Sequence, residues 1–199
     1  MKNLYKIILM MLIAIGTTVS CEDGEGAIYT LQNEVDTSGA VLRFIKEPSG
    51  IVSLISDTPF PNALDYTMEV QEGDGSFYPN FKEVRIFIAA YEDNSLATLV
   101  TDENGNDITE ISLETVSAAQ FVELSENHGL PMYSIYMPTQ EVLDLYPEDT
   151  LPNNTFLKLR FELELEDGRV FTDTNAAGTL GGDFFISPFA FKIKFRTNN

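Results

Sequence analysis

The sequence predicts a mainly β protein: an antiparallel β-sandwich, immunoglobulin-like or related, with one short helix. Short runs rich in β-branched and aromatic residues recur along the body of the chain, and clusters of Gly, Pro, Asn and Asp separate them. The strongest periodicity is the two-residue alternation of a strand, and it recurs near the carboxyl terminus. Roughly eight to ten strands result, a number that suits a sandwich.

Taken in order, Val41–Ile45, Ile51–Ser56, Tyr66–Val70, Val84–Tyr91 and Ile108–Val116 read as strands. Pro48-Ser49-Gly50, Gly73-Asp74-Gly75 and Glu103-Asn104-Gly105-Asn106 supply turns between them. A single helical turn fits Ala118–Val122, and Met132–Met137, with Tyr133 and Tyr136, reads as a further strand. After Pro138, Thr139 is placed to cap a helix over Gln140–Tyr146; Glu141 sits in its first turn and Pro147 stops it.

Phe156–Glu166 is the clearest strand, because Phe161, Leu163 and Leu165 alternate with Glu162, Glu164 and Glu166. A period of two sends the apolar side chains to one face and the carboxylates to the other, toward water. Asp167-Gly168 then makes a tight turn and Arg169-Val170-Phe171-Thr172 returns, so 156–173 reads as a β-hairpin. The last strand, Phe189–Phe195, sets Phe189, Phe191, Ile193 and Phe195 against Lys192 and Lys194, and should close the core.

At the amino terminus, Lys2 and Lys6 precede an apolar run, Ile7–Gly16, that is too short to span a bilayer comfortably, which marks residues 1–20 as a signal peptide. The run closes on Thr17-Thr18-Val19-Ser20 and then on Cys21, the one cysteine of the chain. This order resembles the lipobox of bacterial lipoproteins, with Thr18 where leucine is usual. Compact Ser20 would precede the cleaved bond and the Cys21 thiol would carry diacylglycerol. Membrane anchoring follows from that resemblance, at about 0.8 kcal/mol per buried methylene. The bland alternative is a free cysteine after an ordinary secretory signal.

Next come Glu22, Asp23 and Glu25, interleaved with glycine in an acidic stretch that cannot pack. They resemble the export signal that sends Bacteroidetes lipoproteins to the cell surface, and they equally suit a solvated tether over 21–35. Residues 36–199 are then read as a single domain, large enough to need no disulfide. Losing Lys2 and Lys6 lowers the 12 basic residues to 10 against 31 acidic, moving the formal charge from −19 to −21. Nucleic acid and anionic lipid are poor partners for such a chain; cationic surfaces, divalent metal or mere solubility all fit it.

The parts for catalysis are sparse. His128, the one histidine, lies in the loop Ser125-Glu126-Asn127-His128-Gly129, and no serine sits in a nucleophile elbow. Acidic residues are too abundant for any pair to mark a glycosidase, and Trp is absent. Asp102-Glu103-Asn104-Gly105-Asn106-Asp107 starts like a calcium loop, but Asp107 and Leu113 stand where Gly and Glu are needed, and a hairpin turn explains the same residues. No catalytic residue, metal or cofactor is expected. For a glycan, Tyr78 with Phe77 offers a flat aromatic surface in a loop; alternatively that loop folds Phe77 and Phe81 into the core.

The stretch from Asp167 to Phe191 contains Asp167-Gly168-Arg169-Val170-Phe171-Thr172, Asn175-Ala176-Ala177-Gly178-Thr179 and Gly181-Gly182-Asp183-Phe184-Phe185-Ile186-Ser187-Pro188-Phe189. With Gly39-Ala40-Val41-Leu42-Arg43 and Gly129-Leu130-Pro131, it resembles a family of small flavobacterial lipoproteins encoded beside SusC/SusD-type nutrient-uptake genes. The resemblance implies an outer-membrane surface lipoprotein, an accessory binding component of a TonB-dependent transporter complex, often for glycan. The alternative is a structural or adhesion-type module without a small ligand. Leu180, Phe184 and Phe185 either dock a partner or fold back onto the sandwich. Thr150, in Asp149-Thr150-Leu151, resembles a Bacteroidetes O-glycosylation site.

Overall fold

Alternating side chains settle the architecture strand by strand. The computed structural model describes residues 40–56, 58–72, 80–175 and 189–197, all within one compact unit, Ser38–Asn199. Strands β1 (Ala40–Lys46), β3 (Ala63–Glu72), β7 (Pro131–Pro138) and β6 (Glu123–Leu124) form an antiparallel sheet in the order β1-β3-β7-β6. The second sheet has the order β2-β10-β8-β4-β5, from β2 (Ile51–Ser53), β10 (Ala190–Arg196), β8 (Thr155–Leu165), β4 (Phe81–Tyr91) and β5 (Ile111–Ser117). A short β9 (Val170–Phe171) pairs with β8, and β2 runs parallel to β10 while the other strand pairings of this sheet are antiparallel.

Every odd-numbered residue of β8 from Thr155 to Leu165 is buried. Phe161 reaches across to the other sheet, where Phe44 of β1 lies 5.0 Å and Tyr66 of β3 5.7 Å away, centroid to centroid, both edge-on. Phe44 also meets Phe191 of β10 at 4.7 Å. Edge-to-face rings at these spacings add to the area they bury. The two sheets therefore share one core, completed by Leu42, Met68, Ile86, Ile88 and Phe195, as the predicted sandwich requires.

Differences from the sequence reading lie at element ends and in local pairing. Thr139 does not cap the helix: Pro138 is at that position, and α1 spans Thr139–Leu143 only. The Thr139 hydroxyl donates instead to the Asn62 carbonyl at 2.7 Å, and its amide does the same at 2.8 Å, tying the helix to the start of β3. Strand 51–56 stops at Ser53, where the Leu54 amide turns to the Arg196 carbonyl. Strand 108–116 starts at Ile111, because Ile108 bonds back to Val100 in a side hairpin. The 156–173 hairpin forms with Gly168 at φ +87°, but β9 is two residues long, and β8 pairs mainly with β4 and β10. Residues 118–120 make the expected single turn as a 3-10 helix, and β6 was not foreseen.

The glutamates of β8 do lie on the outer face, yet they are not simply solvated. Glu164 accepts from Lys82 at 2.8 Å, Glu162 from Arg160 at 2.6 Å, and Arg85 stands 3.1 Å from Glu162 and 3.4 Å from Glu164. The hydrogen bond from Lys82 holds the Glu164 carboxyl below the usual carboxylate range. Asp93, Asp102 and Asp167 are lowered likewise by bonds from Ser95, Asn106 and Arg169.

Phe161→Ala should cost about 3–5 kcal/mol, because the ring joins both sheets and the cavity cannot collapse; urea unfolding followed by far-ultraviolet circular dichroism reads this. The four depressed carboxyls stabilise the fold above their unfolded values of about 3.9–4.3, and that contribution is lost as pH falls through their lower folded values. Thermal midpoints should therefore hold from pH 7 to about pH 5 and decline below about pH 4, the decline being shallower for Asp102→Asn.

Candidate functional site

None of the residues singled out for anchoring, ligand or partner binding falls in the described part of the chain. Cys21, Glu22, Asp23, Glu25, Phe77, Tyr78, Leu180, Phe184 and Phe185 all lie outside the described residues. Phe81, the companion of Phe77 in the alternative reading, is a core residue packed edge-on against Phe121 at 4.9 Å. The Thr150 hydroxyl donates to the Pro147 carbonyl at 2.7 Å within its turn. Asp102 accepts from the Asn104 and Asn106 amides at 2.9 and 2.8 Å, and Gly105 has φ +79°, so the calcium-like stretch is a hairpin turn organised by its own aspartate.

A site that the sequence did not reveal lies on the outer face of the β1-β3-β7-β6 sheet. Along β3, Leu64, Tyr66, Met68 and Val70 point inward, and Asp65, Thr67 and Glu69 point outward. Glu69 nevertheless has no exposed surface. It is covered by the loop between β6 and β7, which closes on itself through Ser125. The Ser125 amide donates to the Leu130 carbonyl at 2.9 Å, the Gly129 amide to the Ser125 carbonyl at 2.8 Å, and the Leu130 amide to the Ser125 hydroxyl at 3.2 Å. Gly129 stands at φ +65°, where a side chain would be strained. That turn delivers His128 to the carboxylate.

His128 Nδ1 lies 2.8 Å from Glu69 Oε1, and Arg43 Nε, from the neighbouring strand, lies 3.3 Å from the same oxygen. Both contacts are ion-pair approaches to a carboxylate whose oxygens are shut off from solvent. Arg43 spends its other donors elsewhere, Nη1 on Gln71 at 2.8 Å and Nη2 against His128 Nε2 at 3.1 Å. Because a guanidinium only donates, Nε2 accepts and the imidazole proton is assigned to Nδ1, facing Glu69.

Around this trio is a cleft of about 520 Å³, lined also by Thr67, Ser134, Asn127 and the apolar Ile45 and Met132. The Thr67 and Ser134 hydroxyls are 2.9 Å apart across the β3–β7 pairing. An acid and a histidine thus stand together as in a hydrolytic triad, but the nitrogen that would turn to a serine is held by Arg43, and the Ser125 and Ser134 hydroxyls bond elsewhere. Among the described residues no group of three His, Cys, Asp or Glu side chains could hold a metal ion. No described helix is long and apolar enough to cross a membrane.

The lone histidine was visible in the sequence. Nothing there marked Glu69, which sits in an ordinary alternation, or told that Arg43 and His128 would meet over it. No protein-family model matches the chain, and no curated protein is significantly similar to it.

Removing Arg43 leaves the Glu69 charge uncompensated, so Arg43→Met should destabilise the domain by about 2–3 kcal/mol. Adding Glu69→Gln removes the orphaned charge, and the double variant should recover most of that loss in chemical denaturation.

Proposed function

We propose that the chain is an outer-membrane surface lipoprotein, an accessory binding component of a SusC/SusD-type, TonB-dependent nutrient-uptake system. The observation that carries the binding part is the cleft of about 520 Å³ beside the Arg43–Glu69–His128 cluster, lined by the Thr67 and Ser134 hydroxyls and by Asn127. Such an arrangement suits a site that a ligand completes. Anchoring rests on Ser20-Cys21 behind the apolar run, and surface display on Glu22, Asp23 and Glu25. The uptake context rests on the resemblance of the carboxyl-terminal segment. Binding is preferred to catalysis because Arg43 occupies the His128 nitrogen that a general base would need.

One observation favours a second reading, a structural or adhesion-type module. Taken in chain order, β1, β3, β7 and β6 correspond to strands A, B, E and D, and β10, β8, β4 and β5 to G, F, C and C′, of the immunoglobulin-like sandwich, which serves many cell-surface proteins.

Metabolic labelling with an acyl-chain probe should mark the wild type and spare Cys21→Ala; equal labelling would overturn the lipid anchor. Protease added to intact cells should digest the domain. Affinity purification from solubilised outer membranes should bring down a TonB-dependent transporter, and less of it with Leu180→Asp if the 175–187 segment docks. Surface display without any transporter leaves the adhesion reading.

A further inference from the structure

We propose that the outward face of β10 docks an acidic peptide segment of a partner protein, one that lies extended along the strand and presents carboxylates at alternate positions. This face belongs to the other sheet from the Glu69 cleft, and the proposal does not depend on what that cleft binds.

The cations of the chain are divided unevenly. Ten basic residues follow position 20, among 31 acidic ones. Seven of the ten have a carboxylate oxygen within 3.3 Å. The other three, Lys192, Lys194 and Arg196, have no carboxylate partner among the described residues, and all three belong to β10. With acids so abundant, a base without one is the exception, and three on one strand face mark a surface kept cationic.

Neutral groups steady the three heads instead. Lys192 donates to the Asn94 carbonyl at 3.2 Å, Lys194 Nζ lies 5.9 Å from the centre of the Phe156 ring, and Arg196 Cζ lies 5.2 Å from that of Phe60. Such contacts position a cation and leave its charge uncompensated. In the strand register Lys192 also stands opposite Lys158, and like charges directly opposite destabilise a sheet. Asp173 answers Lys158 at 2.6 Å, while no described carboxylate answers Lys192.

Strand alternation sets the spacing of the face. Ile193, Phe195 and Thr197 are buried, so Lys192, Lys194 and Arg196 share the outer side, about 6.6 Å apart at roughly 3.3 Å per residue. An extended peptide offers its own alternate side chains at the same interval, and three carboxylates then meet three cations one to one. Half-buried Phe60 and Phe156 flank the line with apolar surface for the side chains between them.

Charge also selects a peptide over other polyanions. The formal charge of −19 repels anions at long range, but a Debye length of about 10 Å at 0.1 M salt leaves contact pairs in control. The attractive stripe is only about 13 Å long. A nucleic acid carries its charge past that stripe and onto the acidic remainder of the surface, whereas a peptide can confine its carboxylates to the three matching positions.

Surface plasmon resonance tests this, with the full chain in non-ionic detergent at about 0.1 M salt, passed over dense layers of two peptides of equal composition. Ser-Glu-Thr-Glu-Thr-Glu-Ser has alternating carboxylates and Ser-Thr-Glu-Glu-Glu-Thr-Ser contiguous ones; an oligothymidylate layer is the third probe. The alternating peptide should bind, about threefold or more tightly than the contiguous one. Combined Lys192→Gln, Lys194→Gln and Arg196→Gln should weaken that binding about tenfold or more, with an unchanged melting temperature. Lys46→Gln, which removes a cation paired with Asp65 on the other sheet, should leave it unaltered. Should the triple variant fail to fold, Lys192→Gln alone, at an exposed position, should still weaken binding about threefold. No binding of the alternating peptide overturns the proposal, as does equal binding of the two peptides or binding that loss of the β10 cations leaves intact. Tighter binding of oligothymidylate than of the peptide overturns it in favour of a nucleic acid.

Discussion

The packing of Phe161 between the sheets is the contact on which the remainder of the fold depends. Its strand, β8, lies between β4 and β10, so one run of alternating residues fixes the register of two neighbours and the depth of the core. A one-residue slip would turn Phe161, Leu163 and Leu165 to solvent and bring Glu162 and Glu164 inside. Register is thereby specified by the burial of six consecutive odd positions, Thr155 to Leu165. Phe44 and Tyr66 then find their places against a ring whose position is already determined.

With the inner faces committed, the outer faces solve the charge problem in two ways. Seven of the ten basic residues after position 20 lie in β4, β8 and β10. Lys82 and Arg85 meet the β8 glutamates across strands, Arg160 meets Glu162 within β8, and Arg160 also covers the Phe87 ring at 4.4 Å. Individual exposed pairs of this type contribute little. Arg85 stands opposite Glu162 in the register, and although Glu83 stands opposite Glu164, Lys82 and Arg85 both reach Glu164 and offset that repulsion. On the opposite sheet a single carboxylate, Glu69, is buried under a loop with one guanidinium and one imidazole.

How far these features were legible in the sequence follows from the range of the interactions. The β8 alternation, the Asp167-Gly168 turn and the closing strand are written in neighbouring residues, and the structure has them where they were expected. The helix was legible as an element, but its cap was not. The usual role of Thr139 as a cap was displaced by a contact to Asn62, 77 residues away. Glu69 is harder still, since burial of an outward-facing residue depends on the Ser125–Leu130 loop folding over it. The 85-residue separation of Arg43 and His128 leaves no local trace. The aromatic surface was sought at Tyr78, while Tyr136, which is set in a strand like any other residue, is left exposed by the pleat.

The two outer faces also differ in what they leave for a partner to do. On the β2-β10-β8-β4-β5 sheet, Glu162 and Glu164 already have cations from within the sheet, so nothing there calls for an external donor. On the β1-β3-β7-β6 sheet, Arg43 and His128 hold Glu69 at 3.3 and 2.8 Å and also reach Gln71 and one another. Arg43 of β1 and the Ser125–His128 stretch both line that cleft. A purely structural ion pair would be expected to align its hydrogen bonds and close the space around them. Here the ion pairs hold the carboxylate while a cleft of about 520 Å³ stays open beside them, which leaves this face with room that its own side chains do not fill.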